Sequence, residues 1–584
     1  MLRRALSLFM ILVSPLFLAF ASTDSNAQAL SNAQTATPVA PVANPCQRFK
    51  AGGVVQNPPA LFSSNGVLSV RFSYQQTTDS AGRLLHCFMT PNGLQDPTLH
   101  VKPGDRLNIT VTNNTPASPL GQMFNPPNCG DDTVEFTPPA ASANSVGSSM
   151  NIHYHGTNVT PQCHGDNVTK TIINSGSTFQ YGFTFPTDEP SGLYWYHPHI
   201  HGLAERDLLG GASGALVVDG IENIQPAVSG LRHRVLVIRD QTQLQGLAEG
   251  PGNCGVDVPF QDISVNYVPV DSHQSSSGVI FTPAVLHMNH GETQLWRVSN
   301  STADTILDLQ VLYDGVPQKL QIVGIDAVPV NSQDGTEPGH LIPVSRFRLP
   351  VAGRVEFLVK APASSVRRAQ LVTNNINTGP QGDCDPTRAI FNVVLSDNSG
   401  VDGGADDSIG TTTALSSSQR RFGGTSSASV STTRTFQFSE IQPTQFFITQ
   451  VSAGQQPTLF DNNNPPAVVT TQGAVEKWII QNIAQENHEF HMHQIHFKVL
   501  SQDNFEINGT PQAPAINGQF LDMIEIPFWD NAKNPNGPLP QVQLLMDFRG
   551  MDIGDFVYHC HILSHEDLGM MAIIRVEPPI AGTQ

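Results

Sequence analysis

The sequence predicts an all-β chain built from three β-sandwich domains. Two observations carry that expectation, a composition and a repeat. Charged residues are only 14% of the 584, while Gly (48) and Pro (44) are abundant. Such a balance suits short strands joined by turns better than a helical bundle or a charged disordered chain. The repeat is of domain size. Gly104 and Asn113 bracket DRLNITVT, Gly291 and Asn300 bracket ETQLWRVS, and Gly473 and Asn482 bracket AVEKWIIQ. Each time a Gly turn leads into an apolar alternation with the period of a strand. A second recurrence closes each unit: Gly192 leads into LYWYHPH, Gly353 into RVEFLVK and Gly554 into DFVYHCH. These three runs read as equivalent strands.

The segments follow in order. Residues 1–29 read as an export signal: Arg3 and Arg4, an apolar run over 5–20 interrupted by Pro15, then small-x-small sites ending at Ala21 or Ala29. No later run of 18 or more apolar residues is present, so no membrane insertion is expected after signal cleavage. The mature chain should be exported, periplasmic or secreted. Residues 30–49 read as a disordered lead-in. Domains are expected over 50–222, 223–400 and 434–584, with a mobile Ser/Gly/Thr-rich linker over 401–433. A formal net charge of −19 opposes nucleic-acid or anionic-membrane binding.

Half of the twenty histidines fall in four short clusters. They are His153/His155, His197/His199, His488/His491/His493 and His559/His561/His565. The first two lie in the first domain and the others in the third. Residues i and i+2 of a strand share a face, so each HxH pair aims two imidazoles at one point. Four pairs from two related domains can surround a shared interdomain cavity. Neutral imidazoles suit copper or zinc rather than calcium or magnesium, and eight exceed what one zinc ion needs. Cys560 lies between His559 and His561, so its sulfur points to the opposite face. There it can meet His488, His565 and Met570, which is the ligand set of a blue-copper electron-transfer site.

HYHG, YWYHPHIHG, HEFHMH and YHCHILSHEDLGMM resemble the four copper signatures of the multicopper oxidases, the family that includes laccases. The resemblance spans all three domains and implies three cupredoxin-like Greek-key β-sandwiches. It implies four copper ions. The type 1 ion falls to His488, Cys560 and His565 with Met570 axial, and the type 2 ion to His153 and His491. The type 3 pair falls to His155, His197, His199, His493, His559 and His561. The implied reaction oxidises a small reductant in four one-electron steps and reduces dioxygen to water, with electrons passing from Cys560 through His559 or His561. Since all three domains sit in one chain, a monomer suffices.

The resemblance also nominates Glu566 for proton delivery, the alternative being a solvated surface carboxylate. Asp166 is the candidate for the acidic residue after HxHG, across an insertion, TNVTPQCHGD. A thioether at Met570 implies a moderate oxidant. His201 is expected behind the ligands or along a channel. His164, His287, His290 and His496 read as ordinary polar residues, and Trp195, Trp296 and Trp478 as core. The reductant is expected to be phenolic or otherwise organic; the rival is a metal-ion oxidase acting on cuprous, ferrous or manganous ions. The 12 methionines are scattered, which favours the organic reductant. Of seven cysteines, Cys560 is reserved for metal. The other six are expected to pair sequentially as 46–87, 129–163 and 254–384.

Overall fold

The computed structural model describes residues 37–117, 147–243, 258–331, 339–396, 421–504, 506–507, 510–511, 516–533, 535–550 and 552–579. The expected signal peptide lies outside them. Three two-sheet sandwiches follow one another along the chain. In the first, the sheet Ala60–Phe62, Thr98–Val101, Gly214–Val218, Gly192–His197, His153–His155 packs on Leu84–Met89, Val67–Thr78, Arg106–Asn113, Thr178–Thr184. Phe72, Phe88 and Tyr196 meet between the sheets with ring centroids 5.5–5.8 Å apart. Each fully buried side chain of this size contributes roughly 1.5–3 kcal/mol. The third sandwich repeats the plan, with Met571–Glu577, Gly554–Cys560, His488–Met492 and Met523–Ile526 adjacent in one sheet.

The Gly-to-Asn repeat is the hub of each sandwich. Arg106–Asn113, Thr293–Asn300 and Val475–Asn482 each run parallel to an earlier strand of their own domain. Their fifth residues after the turn, Ile109, Trp296 and Trp478, are all fully buried. The turn glycines Gly104, Gly291 and Gly473 have φ of +85°, +72° and +97°, where a side chain would be strained. The closing asparagines are staples. Asn113 donates to the carbonyls of Ser148 and Ile173, Asn300 to those of Thr305, Leu349 and Pro350, and Asn482 to those of Glu486 and Ile526. A buried amide thus satisfies loop carbonyls that burial would otherwise leave unpaired.

The second recurrence is corrected. The strand after Gly353, Arg354–Lys360, pairs antiparallel with Thr293–Asn300. That is the place of Thr178–Thr184 in the first domain and Gln541–Asp547 in the third. The middle counterpart of Gly192–His197 and Gly554–Cys560 is Ala369–Thr373, paired antiparallel on both sides. A Gly turn followed by an alternating strand occurs more than once per unit, so offset alone does not separate the copies.

Two expected loose segments are partly packed. Within the lead-in, the Val39 amide donates to Thr112 Oγ1 at 2.8 Å, and Cys46 forms a disulfide with Cys87. Cys163 and Cys384 are also disulfide-bonded; Cys129 and Cys254 lie outside the described residues. The end of the linker is docked as well. Phe422 stacks on Phe520 at 4.1 Å, and Arg421 reaches Asp188 of the first domain and Asp552 of the third. Apolar and ionic anchors override a composition that otherwise favours disorder. Residues 397–420 lie outside the described set. No helix among the described residues is long and apolar enough to cross a membrane.

Candidate metal centre

Strand register assembles the site. His153 lies opposite His197 across one antiparallel pair, and His491 opposite His559 across another. Alternation then sorts the side chains. His491, His493, His559 and His561 face the first domain, while Phe490 and Cys560, also directly opposite, face the third-domain core. The short helix Leu563–Asp567 follows at once and folds His565 back toward Cys560.

Around Cys560, Sγ lies 3.7 Å from Nδ1 of His488 and 3.7 Å from Nδ1 of His565. The two Nδ1 atoms are 3.1 Å apart. Met570 is fully buried and its carbonyl accepts the Cys560 amide at 3.0 Å. The Glu489 amide donates to Sγ at 3.3 Å. Burial pushes the Cys560 thiol well above its usual range and holds His565 down to about 3. A cation is what would bring a thiolate to this pocket.

On the other face, His153, His155, His197, His199, His491, His493, His559 and His561 are at most 2% exposed. His199 Nε2 and His493 Nε2 approach His559 Nε2 at 3.3 and 3.2 Å. His153 and His493 stack at 3.9 Å, as do His155 and His491 at 4.0 Å. Both stacks cross from the first domain to the third. Burial first, and neighbouring imidazoles second, depress His153, His155, His491, His493 and His561 far below 6.5. Burial likewise depresses His197, and it brings His199 to about 4. These seven are held in the neutral, metal-binding form.

The nitrogen pattern fits metal. His153 Nδ1 meets Asp166 Oδ2 at 2.8 Å, leaving Nε2 buried without a partner. His155 Nε2 meets Asp522 Oδ1 at 3.1 Å, leaving Nδ1 free. His197 and His491 hold backbone carbonyls through Nδ1 at 2.8 Å and leave Nε2 free. One nitrogen is fixed and the other is orphaned toward its neighbours, which is how ligating imidazoles are oriented. Buried orphaned nitrogens are costly unless something fills the space between them. Ligand atoms of His153/His155/His197, His153/His491/His493, His199/His493/His559 and His488/Cys560/His565 lie within 4.8 Å of one another in each group. Imidazoles plus one thiolate suit copper.

Two family models, each described as multicopper oxidase, match residues 140–223 and 429–579. The chain belongs to the multicopper oxidase family. Its members named below are copper oxidoreductases, and so is this enzyme, with dioxygen as acceptor and a reductant as donor. The multicopper oxidase mco of Staphylococcus aureus is 21% identical over 503 residues, 83% of this chain and 82% of the relative. The Bacillus subtilis laccase is 21% identical over 541 residues, 87% and 94% respectively. A solved multicopper oxidase from Campylobacter jejuni, titled a metallo-oxidase, superposes with TM-score 0.59 at 19% identity, covering 91% of this chain and 96% of that one. The fold is that of the three-domain cupredoxin-like multicopper oxidases.

Of the other nominated residues in this multicopper oxidase, Glu566 is fully buried, with Oε2 3.1 Å from His559 Nδ1 and Oε1 3.5 Å from His199 Nδ1. Its alternative reading as a solvated group is overturned. The Asp166 loop is closed by the Asp166 amide donating to Thr160 O. Burial raises Asp166 to about 7, against hydrogen bonds from the Tyr154 amide and Gln494. His201 is buried edge-on against Phe460 at 4.9 Å. Trp195 is core, yet it also stacks on His197 at 4.1 Å and so forms a wall of the cluster.

His496 corrects its expectation as an ordinary polar residue. It is buried, with Nε2 3.0 Å from Asp326 O and 3.4 Å from Asp522 Oδ2. Asp522, Arg354, Glu440 and Glu486 also border the two sites, and no sequence motif marks them. Asp522 precedes the strand Met523–Ile526, whose Met523 pairs with His491. Only that register reveals it.

Proposed function

We propose that the chain holds four copper ions, one between Cys560, His488 and His565 and three in the histidine cluster, and oxidises a small organic reductant in the manner of a laccase. The observation that carries the reading is the Cys560 strand, which presents a thiol to one buried imidazole pair and its two flanking histidines to the other six. Bound copper would supply one-electron redox chemistry at the first site and dioxygen reduction to water at the second.

The protein's own groups do the rest. His488 and His565 turn Nδ1 toward Cys560 and Nε2 outward. Those outer edges meet Glu440 Oε2 at 3.6 Å and Glu486 Oε1 at 3.3 Å, and Gln442 Nε2 bridges the two carboxyls. Burial pushes Glu486 up to about 9. Burial acts the same way on Glu440, but its hydrogen bond with His488 holds it at about 2. An ionised carboxylate at the imidazole edge can take the proton that a phenol sheds with its electron. At the cluster, Glu566 is placed to hold protons at His559 and His199, and Asp166 to fix the His153 ring through Nδ1. Residues 1–29, read as an export signal, and the disulfide Cys46–Cys87 support action outside the cytoplasm, and three domains in one chain let a monomer suffice.

One observation favours a second reading. Two carboxyls at the outer edges of the His488 and His565 rings are also hard oxygen donors for a metal-ion reductant. The Campylobacter neighbour is titled a metallo-oxidase. Turnover of a phenolic dye, of cuprous ion and of ferrous ion by the copper-loaded enzyme separates the two. The organic reading expects the dye to turn over without added metal. Strict dependence on added copper or iron contradicts it.

A further inference from the structure

The middle domain contributes none of the clustered histidines, yet it reaches the cluster. Arg354, at the start of Arg354–Lys360, is completely buried. Its guanidinium grips the Asp522 carboxylate two-pronged, Nη1 to Oδ1 at 2.7 Å and Nη2 to Oδ2. Two further donors, Nη1 and Nε, go to Ala352 O at 3.0 Å and Leu193 O at 3.3 Å and hold the fork in place. Asp326, also of the middle domain, completes the clasp. Its Oδ1 accepts the Arg354 amide at 2.9 Å, and its Oδ2 accepts the amides of Asp522 and Met523 at 3.3 and 3.1 Å.

Asp522 in turn touches a ligand candidate from each outer domain: its Oδ1 lies at His155 Nε2, and its carbonyl accepts His491 Nδ1 at 2.8 Å. Those rings are the ones stacked across the domain boundary at 4.0 Å. The close approach needs Gly156. A Cβ there would stand 2.3 Å from Arg354 Nη2 and 2.6 Å from Asp522 Oδ2, and its φ is +83°.

We propose that Arg354 is a positioning residue through which the middle domain fixes the His155 and His491 rings, by clamping Asp522, whose carboxylate lies at His155 and whose backbone carbonyl holds His491. A guanidinium fork fixes a carboxylate in plane as well as in place, whereas an ammonium supplies charge without that geometry. The inference rests on the copper-cluster reading above and assigns the middle domain a part in it.

The test is Arg354→Lys in the full-length, copper-loaded enzyme, followed by copper per chain, the blue absorption band and the EPR spectrum. The expected result is selective: the blue band of the Cys560 site is retained, while the non-blue EPR signal changes and one ion is held about 10- to 100-fold more weakly against a chelator. Asp522→Asn, which keeps the backbone carbonyl on His491, should give the same pattern, and it decides the matter if Arg354→Lys does not fold. Unchanged EPR parameters and copper retention overturn the proposal. So does parallel loss of the blue and non-blue signals, which would mean general destabilisation. A wild-type enzyme with neither signal refutes the cluster reading itself, and the clamp with it.

Discussion

The outer domains and the middle domain share one scaffold and differ in what they do with it. Gly192–His197 and Gly554–Cys560 carry YWYH and YHC into the interface, while their middle counterpart, Ala369–Thr373, carries AQLVT. The hub strand, its Gly turn and its asparagine staple are the same in all three. The scaffold therefore does not make the site. A few side chains on one sheet do, at strand ends where the fold leaves the face open to a neighbour. The middle domain faces that interface with Arg354 and Asp326 instead, holding a carboxylate rather than a ligand.

The comparison breaks most visibly at Cys560. Cys560→Ser should abolish the blue band and reduce turnover to background while the histidine cluster keeps its copper; a surviving blue band places the sulfur elsewhere. Next in size is Glu566→Gln. Removing a buried carboxyl beside His559 and His199 should slow turnover by roughly 10²–10⁴-fold, with copper content unchanged. A rate within twofold of wild type would return Glu566 to a packing role.

The staples sharpen the comparison further. Asn482→Ala and Asn300→Ala should each cost about 2–3 kcal/mol in denaturant unfolding, since both orphan buried carbonyls. Only Asn482→Ala should also perturb the blue band, because Asn482 holds the Glu486 carbonyl two residues before His488. Equal spectral effects of the two would deny the outer domain its special use of the staple. The smallest effect is expected at Met570→Leu. Losing a weak thioether should raise the potential of the Cys560 site, as followed by redox titration; an unchanged or lower potential would remove Met570 from that site.

Much of this was legible in the sequence because it is periodic. The Gly-to-Asn runs announced the three hubs, and the i, i+2 spacing of the histidines announced which side chains would share a face. Cys560 between two histidines announced that one strand serves two sites. What escaped depends on pairing between distant segments. Asp522 carries no motif of its own and acquires meaning only when Met523 pairs with His491. Arg354 sits in a run that mimics the wrong strand of the repeat, and its reach across the boundary needs Gly156 to lack a side chain. Phe422 and Arg421 sit in a composition that reads as linker, yet single aromatic and ionic contacts dock them.

The central claim is that one strand divides two copper sites, a thiolate site and an eight-histidine cluster. Metal analysis of the copper-reconstituted enzyme, with the visible and EPR spectra of the same sample, tests it most directly. Four coppers per chain, an intense blue band and a separate non-blue EPR signal are expected. Two or fewer coppers per chain, or no blue band, would contradict it.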